Sequence, residues 1–482
     1  MSRQVILRIL GVLWIAFACM LSVYALTDFL TTYSNFTVLK SRLILSISVL
    51  GCGGGCYLVG RKAILKELSS RSAIILVILV WISMIFIGTI PYLWENITFV
   101  DALFESASGF STTGATILEN LETLPPTLLF WRSFTQWIGG MGIIVLFIAI
   151  FPSLGASGKR LFSNEMPGPI KESLTPHLKD TTQRLWIIYL CLTTILFIIL
   201  CILGLSPFDA INHAFTTLAT GGFSTKSNSL AAFSPIVQWV IAFFMLLGGL
   251  NFSLYILLLA KKMNTIRRDV EVRWYLYFIG GLSLFVTGVL YYTTEYSLPQ
   301  ASRFAFFTVI SLTTTTGYTN IQYELFVPLV QALLMITFFT GGSAGSTSGG
   351  IKFYRIVLFF KAISIEVKKS ISPHIVSSLN IGTFIVPEPL VTKIFVFLSV
   401  YFSSIGFISL LLVAAGIDFL TAFSAAATSI GNVGPAFGSI GSSGLFAHFS
   451  AFSKIICAFA MVLGRLEFFT FLAILQPIFW KR

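Results

Sequence analysis

The chain has 482 residues, 56% of them hydrophobic and 10% charged, with a mean hydropathy of +0.90. Soluble domains carry about 25% charged residues, so the composition excludes a soluble enzyme or binding module and points to an integral membrane protein. The net charge of +12 does not argue for nucleic acid, because twenty-four of the 31 Lys and Arg fall in six regions that a multi-pass topology places on one side. That is the positive-inside pattern, with both termini cytoplasmic.

A membrane span needs about 20 apolar residues, and residues 1–72 hold two such runs. The first, Val5 to Leu30, is longer than a signal-peptide core and reads as a retained span. From residue 73 one pattern recurs four times: apolar span, short half-apolar segment, Thr/Ser/Gly turn, second apolar span, basic loop. The four units are 73–184, 185–273, 274–390 and 391–482, with second spans near 128–151, 236–260, 328–361 and 450–479. The expected fold is therefore an all-α integral membrane protein, a pseudo-fourfold repeat of span, re-entrant pore helix and span, plus two N-terminal spans.

The internal register can be read from the short segments. Asp101 to Gly114, Asp209 to Gly222 and Asp418 to Gly431 are each thirteen residues apart, and Phe304 stands thirteen before Gly317 in the third unit. An Asp opening a helix fits its positive end. Thirteen residues give about 18 Å of helix, roughly half the hydrocarbon thickness. Non-helical backbone at that depth is tolerated only in a protein interior or along an aqueous cavity. The four helix C-termini would favour a cation near the centre. The candidate filter residues are Thr112, Thr113 and Gly114; Thr220, Gly221 and Gly222; Thr315, Thr316 and Gly317; and Ile430, Gly431 and Asn432. Their carbonyls would replace the hydration shell of a monovalent cation. No carboxylate lies within them, which disfavours a divalent site. Close helix packing through small residues is the alternative reading of the same turns.

Two further features fall inside apolar runs. Gly341 to Gly350 is too rich in Gly and Ser for a straight helix, so it is an unwound hinge or a close-packing face. Arg465 stands near the middle of the last span, where a charge is costly and marks a functional candidate. It would either raise a barrier to cations or hold Glu467 or the carbonyls of a broken helix. The four histidines and six cysteines show no metal or catalytic spacing. An acid-rich outer face, including Asp101, Glu105, Asp209, Glu295 and Asp418, would concentrate cations.

The motifs Phe110-Ser-Thr-Thr-Gly-Ala-Thr116, Ala219-Thr-Gly-Gly-Phe-Ser224, Thr314-Thr-Thr-Gly-Tyr318 and Gly431-Asn-Val-Gly-Pro435 occur in this order. They are joined by the Gly341–Lys352 stretch and by Gly464-Arg-Leu-Glu467. With these the chain resembles the TrkH/KtrB/HKT superfamily of potassium uptake proteins, and most closely its bacterial TrkH branch, which has two extra N-terminal helices. The resemblance implies a potassium-selective filter with a glycine in each unit, whereas a serine at the first goes with sodium. It implies a gate in the intramembrane loop, with Gly341, Gly342, Gly345, Gly349, Gly350 and Lys352, and in Arg465 and Glu467. It also implies a bacterial inner-membrane homodimer, with no cofactor of its own and K+ as the transported ion. Its partner would be a cytosolic TrkA-type nucleotide-binding regulatory ring, for which the basic loops 159–184 and 261–273 are docking candidates. Proton- or sodium-coupled symport and, further off, a carrier of an organic solute stay open at this point; no catalytic constellation is visible.

Overall fold

The computed structural model describes residues 2–32, 36–62, 70–142, 178–372, 379–381, 384–442, 444–466 and 468–480. Glu467 and most of the 159–184 basic stretch, with the later part of the 128–151 span, lie outside the described residues. Among the described residues, six helices are long and apolar enough to cross a membrane: Arg3–Leu30, Phe36–Gly60, Arg71–Trp94, Gln183–Ile202, Val270–Thr293 and Glu388–Ala414. They turn large apolar side chains such as Ile202, Phe407 and Leu410 outward, as a lipid-facing surface requires. The first two pack as a close hairpin. A Cβ on Gly60 would lie 2.5 Å from the Gln4 carbonyl oxygen, so only glycine permits the approach.

The other four long helices each open one unit. A short helix follows in each: Phe99–Phe110, Pro207–Leu218, Leu298–Thr313 and Phe419–Gly431. Their starts are fixed by caps at Thr98, Ser206, Ser297 and Asp418. Thr98 and Ser206 accept from the backbone N–H of Asp101 and Asp209, so those aspartates sit three residues inside their helices. Asp418 is itself the cap and accepts from Thr421 N–H at 3.0 Å. The aspartates aligned by spacing are thus not equivalent. Phe304 falls inside the third helix, which begins further back and is 16 residues long.

The second spans also differ from expectation. Residues 236–260 and 450–479 read as continuous spans, yet both are sharply broken. Pro235–Gly248 and Ser253–Leu259 meet at 97°, and Ala451–Arg465 and Phe468–Leu475 at 108°. In the third unit Pro328–Thr337 gives way to the glycine loop before Phe353–Ile371. In the first, Pro126–Trp137 runs into a widened turn over Ile138–Gly142. The cause is close approach. A Cβ on Gly139 or Gly464 would overlap the carbonyl oxygen of Phe110 or Ile430, and one on Gly248 would sit 3.3 Å from that of Leu218. Each glycine lets the end of its unit's short helix press against the outgoing span.

Buried apolar side chains form two clusters. One joins the N-terminal hairpin mainly to units one and four, the other mainly units two and three. The Ser/Thr-rich helix ends, including Thr113, Thr220, Thr315 and Ser429, are fully buried as well. A two-stranded antiparallel pair, Asn380–Ile381 with Phe384–Ile385, precedes the fourth unit.

Candidate functional site

The short helices all end in the same way. Thr112, Thr220, Thr315 and Asn432 take left-handed backbone, with φ of 56°, 51°, 56° and 54°. The N–H of the next residue then reaches five back: Thr113 to Ser108, Gly221 to Thr216, Thr316 to Ser311 and Val433 to Thr428, at 2.8–2.9 Å. This is the Schellman closure of a helix end. A β-branched residue at positive φ is an outlier, costing about 1–2 kcal/mol, and three of the four positions accept that cost. Two residues on stands a glycine, again with positive φ: Gly114 (83°), Gly222 (77°), Gly317 (79°) and Gly434 (97°).

The fourth register therefore differs from the expected one. Gly431 ends its helix with ordinary φ, and Gly434 is the counterpart of Gly114, Gly222 and Gly317. Counted from the caps, Thr98 to Gly114, Ser206 to Gly222 and Asp418 to Gly434 are each sixteen residues. The spacing to Gly431 arose because Asp418 caps its helix while Asp101 and Asp209 lie within theirs. Ile430 likewise sits in the helix, and Asn432 takes the place held elsewhere by threonine.

The four glycines close a circle. A Cβ on Gly114 would overlap the carbonyl oxygen of Gly221, on Gly222 that of Thr316, on Gly317 that of Val433, and on Gly434 that of Thr113. Each glycine thus abuts the carbonyl that precedes the glycine of the next unit, and the fourth returns to the first. A cavity with about 560 Å³ of open space, its mouth included, is lined by these same four glycines and not by Gly431.

At the helix-end side of the ring lies the Gly341–Gly350 loop. Its base is fastened by Gly341 N–H to the Ile351 carbonyl and Phe353 N–H to that of Gly342. Its second half touches the left-handed residues: Gly349 N–H donates to Thr315 Oγ1 at 2.7 Å, and Thr220 Oγ1 donates to Thr347 Oγ1 at 3.2 Å. Gly349 also lies against Asn432, where a Cβ would come within 2.7 Å of the Asn432 Cβ. Gly345 and Gly350 have positive φ, and Lys352 Nζ donates to the Ser348 carbonyl. Arg465 donates from one nitrogen to the Thr347 carbonyl at 2.8 Å and from another to the carbonyls of Gly139 and Gly140 at 2.9 and 3.0 Å. It ties the loop to the carbonyls freed by the widened turn of the first unit. Among the described residues, no group of three or more His, Cys, Asp or Glu is arranged to hold a metal ion.

Comparison with known proteins fits this geometry. The family model described as TrkH, a cation transport protein, matches residues 39–477. The chain belongs to the TrkH family. The Trk system potassium uptake protein TrkH of Escherichia coli (strain K12) is 38% identical, with 86% of this chain and 87% of that one aligned. TrkH of Halomonas elongata is 34% identical over the full length of both. The crystal structure of the potassium transporter TrkH from Vibrio parahaemolyticus superposes with a TM-score of 0.88, at 33% identity and full coverage of both chains.

In this TrkH-family chain the ring rests on residues that motif reading passed over. Glu105 and Arg132, both almost fully buried, pair at 3.1 Å. Glu105 also accepts from Ile117 N–H at 2.8 Å, and the Arg132 guanidinium lies 4.1 Å from the Phe223 ring centre, so the pair ties units one and two together. The Gln136 carboxamide holds Gly221 and Phe223. The Glu271 carboxylate accepts from Ala344 N–H at 2.7 Å and Tyr354 N–H at 3.2 Å, clasping the loop interior to the start of the helix that follows it. In the loops around the cavity, bonds from Ser227 lower the pKa of Glu122, while burial raises that of Glu324 against a bond from the Ser442 hydroxyl. Four of the five acids expected to draw cations are occupied: Asp101 holds Lys454 at 2.6 Å, Glu105 holds Arg132, Asp209 accepts from Thr225, and Asp418 caps its helix, while Glu295 is exposed.

Proposed function

We propose that this chain takes up potassium across a bacterial inner membrane, with both termini cytoplasmic and one conduction path through the glycine ring. The observation that carries the reading is the closure of the circle, in which four glycines each meet the next unit's carbonyl. Four equivalent carbonyls, those of Thr113, Gly221, Thr316 and Val433, are suited to a monovalent cation that has shed its water. The ring-forming residues, counted in the corrected register, are Thr112 to Gly114, Thr220 to Gly222, Thr315 to Gly317 and Asn432 to Gly434. The names of the aligned relatives, potassium uptake proteins of Trk systems, support the choice of ion.

Conduction in this reading is channel-like. The Gly341–Gly350 loop, with Lys352 and Arg465, is the gate: it touches three of the four left-handed residues and is held by Arg465. Opening requires those contacts to break, and the work comes from a cytosolic nucleotide-binding ring docked on the basic loops of a homodimer. Any nucleotide binds that ring and not this chain. The test is electrical. With the regulatory ring added, currents through the purified chain in a planar bilayer should reverse at the potassium equilibrium potential and stay there when the proton or sodium gradient is changed. A reversal potential that follows either of those gradients would replace conduction by coupled symport.

A further inference from the structure

The four ring segments differ at one position. The residue before the ring glycine is Thr113, Thr316 or Val433 in three units, each β-branched, but Gly221 in the second. Gly221 is not a backbone glycine, since its φ is not in the left-handed region. What excludes a side chain is Gln136. The three atoms nearest a Cβ at Gly221 all belong to the Gln136 carboxamide. That carboxamide fills the space of the missing side chain and bonds on both sides of Gly222. Nε2 donates to the Gly221 carbonyl at 2.6 Å, and Oε1 accepts from Phe223 N–H at 3.1 Å. The partners fix its orientation, because a carbonyl only accepts and an N–H only donates.

The donor side is equally particular. Gln136 lies three residues before Gly139, and Met245 and Met461 stand three before the corresponding Gly248 and Gly464. All three side chains are buried. An apolar residue at this place goes with a β-branched ring segment, and the amide goes with the glycine.

We propose that Gln136 is a specificity-determining positioning residue, a side chain lent by the first unit to complete the second ring segment. It loads one of the four ring carbonyls with a hydrogen-bond donor and pins the peptides flanking Gly222. Selectivity in a carbonyl ring depends on the number, field strength and freedom of its dipoles, so this carboxamide sets both the field and the stiffness of one quarter of the ring. The inference rests on the potassium reading above.

The test is a swap in proteoliposomes carrying the full-length chain and the regulatory ring, reading rubidium and sodium tracer entry in parallel. Gln136→Ala should raise the sodium-to-rubidium entry ratio about fivefold, the factor that corresponds to one net hydrogen bond. Gly221→Thr alone should lose rubidium entry, because its side chain meets the carboxamide. The double variant Gln136→Ala with Gly221→Thr recreates the pattern of the other units and should return the ratio towards that of the parent. A parent chain that conducts, with Gln136→Ala at the parent ratio, overturns the assignment. A double variant no more selective than Gln136→Ala also overturns it, since the amide would then be mere packing. A parent chain that admits sodium as readily as rubidium sinks the potassium reading itself.

Discussion

At the scale of single residues, Gly114 and Gly222 were legible because Thr-Thr-Gly and Thr-Gly-Gly sit at one spacing from an aspartate, and Gly317 because Thr-Thr-Gly recurs there without one. The fourth was misplaced by three residues, since Asp418 is a cap where Asp101 and Asp209 are third helical residues. Aligning the caps would have found Gly434. Gln136, Glu271 and the Glu105–Arg132 pair were not legible at all, because their partners are 27 to 87 residues away and follow no motif. Arg132 offers a direct test. Removing one member of a buried ion pair strands the other charge, at a cost of about 3–5 kcal/mol. Arg132→Met should therefore lower the thermal unfolding temperature in detergent clearly, while Glu105→Gln combined with Arg132→Met should recover part of the loss. Unfolding temperatures equal to the parent in both variants would remove the pair from the support of the ring.

At the scale of elements, the starts of the first, second and fourth short helices were predicted within two residues, since cap residues and Pro or Asp in the first turn define them, whereas the third begins at Leu298, six residues before Phe304. The breaks in the second and fourth outgoing spans were not predicted. Val240-Ile-Ala-Phe-Phe-Met-Leu-Leu247 and Ile455 to Leu463 before Gly464 are apolar on every face, and hydropathy carries no record of a neighbouring carbonyl. The loop was predicted from glycine content alone, and its fastening was not. Glu271 accepts from Ala344 N–H within the loop and from Tyr354 N–H in the helix after it, and hydrogen bonds to a charged group are worth about 1.5–3 kcal/mol each. Glu271→Gln retains shape and one acceptor oxygen but removes the charge. Rubidium entry into proteoliposomes without the regulatory ring should rise at least severalfold in this variant. Unchanged basal entry would mean that Arg465 and the ring threonines hold the loop without Glu271.

At the scale of the whole molecule, four units and two N-terminal spans were readable from hydropathy and from the recurrence of one polar turn. What could not be read was how the units meet. The order around the ring follows from contacts between Gly114 and Gly221, Gly222 and Thr316, Gly317 and Val433, and Gly434 and Thr113, none of which has a local sequence signature. The N-terminal hairpin packs through Gly11, Gly53 and Gly60, so Gly60→Leu should weaken that hairpin and increase proteolysis near residue 60 without altering ion preference.

The central claim is that one glycine from each unit, Gly434 in the fourth, completes a single selective ring. It is tested most directly by rubidium and sodium tracer entry, with the regulatory ring present, for the parent, Gly434→Ser and Gly431→Ser. Gly434 needs positive φ and touches the Thr113 carbonyl, whereas Gly431 is helical and meets the Phe338 carbonyl at 2.8 Å from an added Cβ. The parent should prefer rubidium, Gly434→Ser should lose that preference, and Gly431→Ser should give less folded protein with the parent's preference intact. Loss of preference in Gly431→Ser alone, with Gly434→Ser like the parent, would contradict the ring as described.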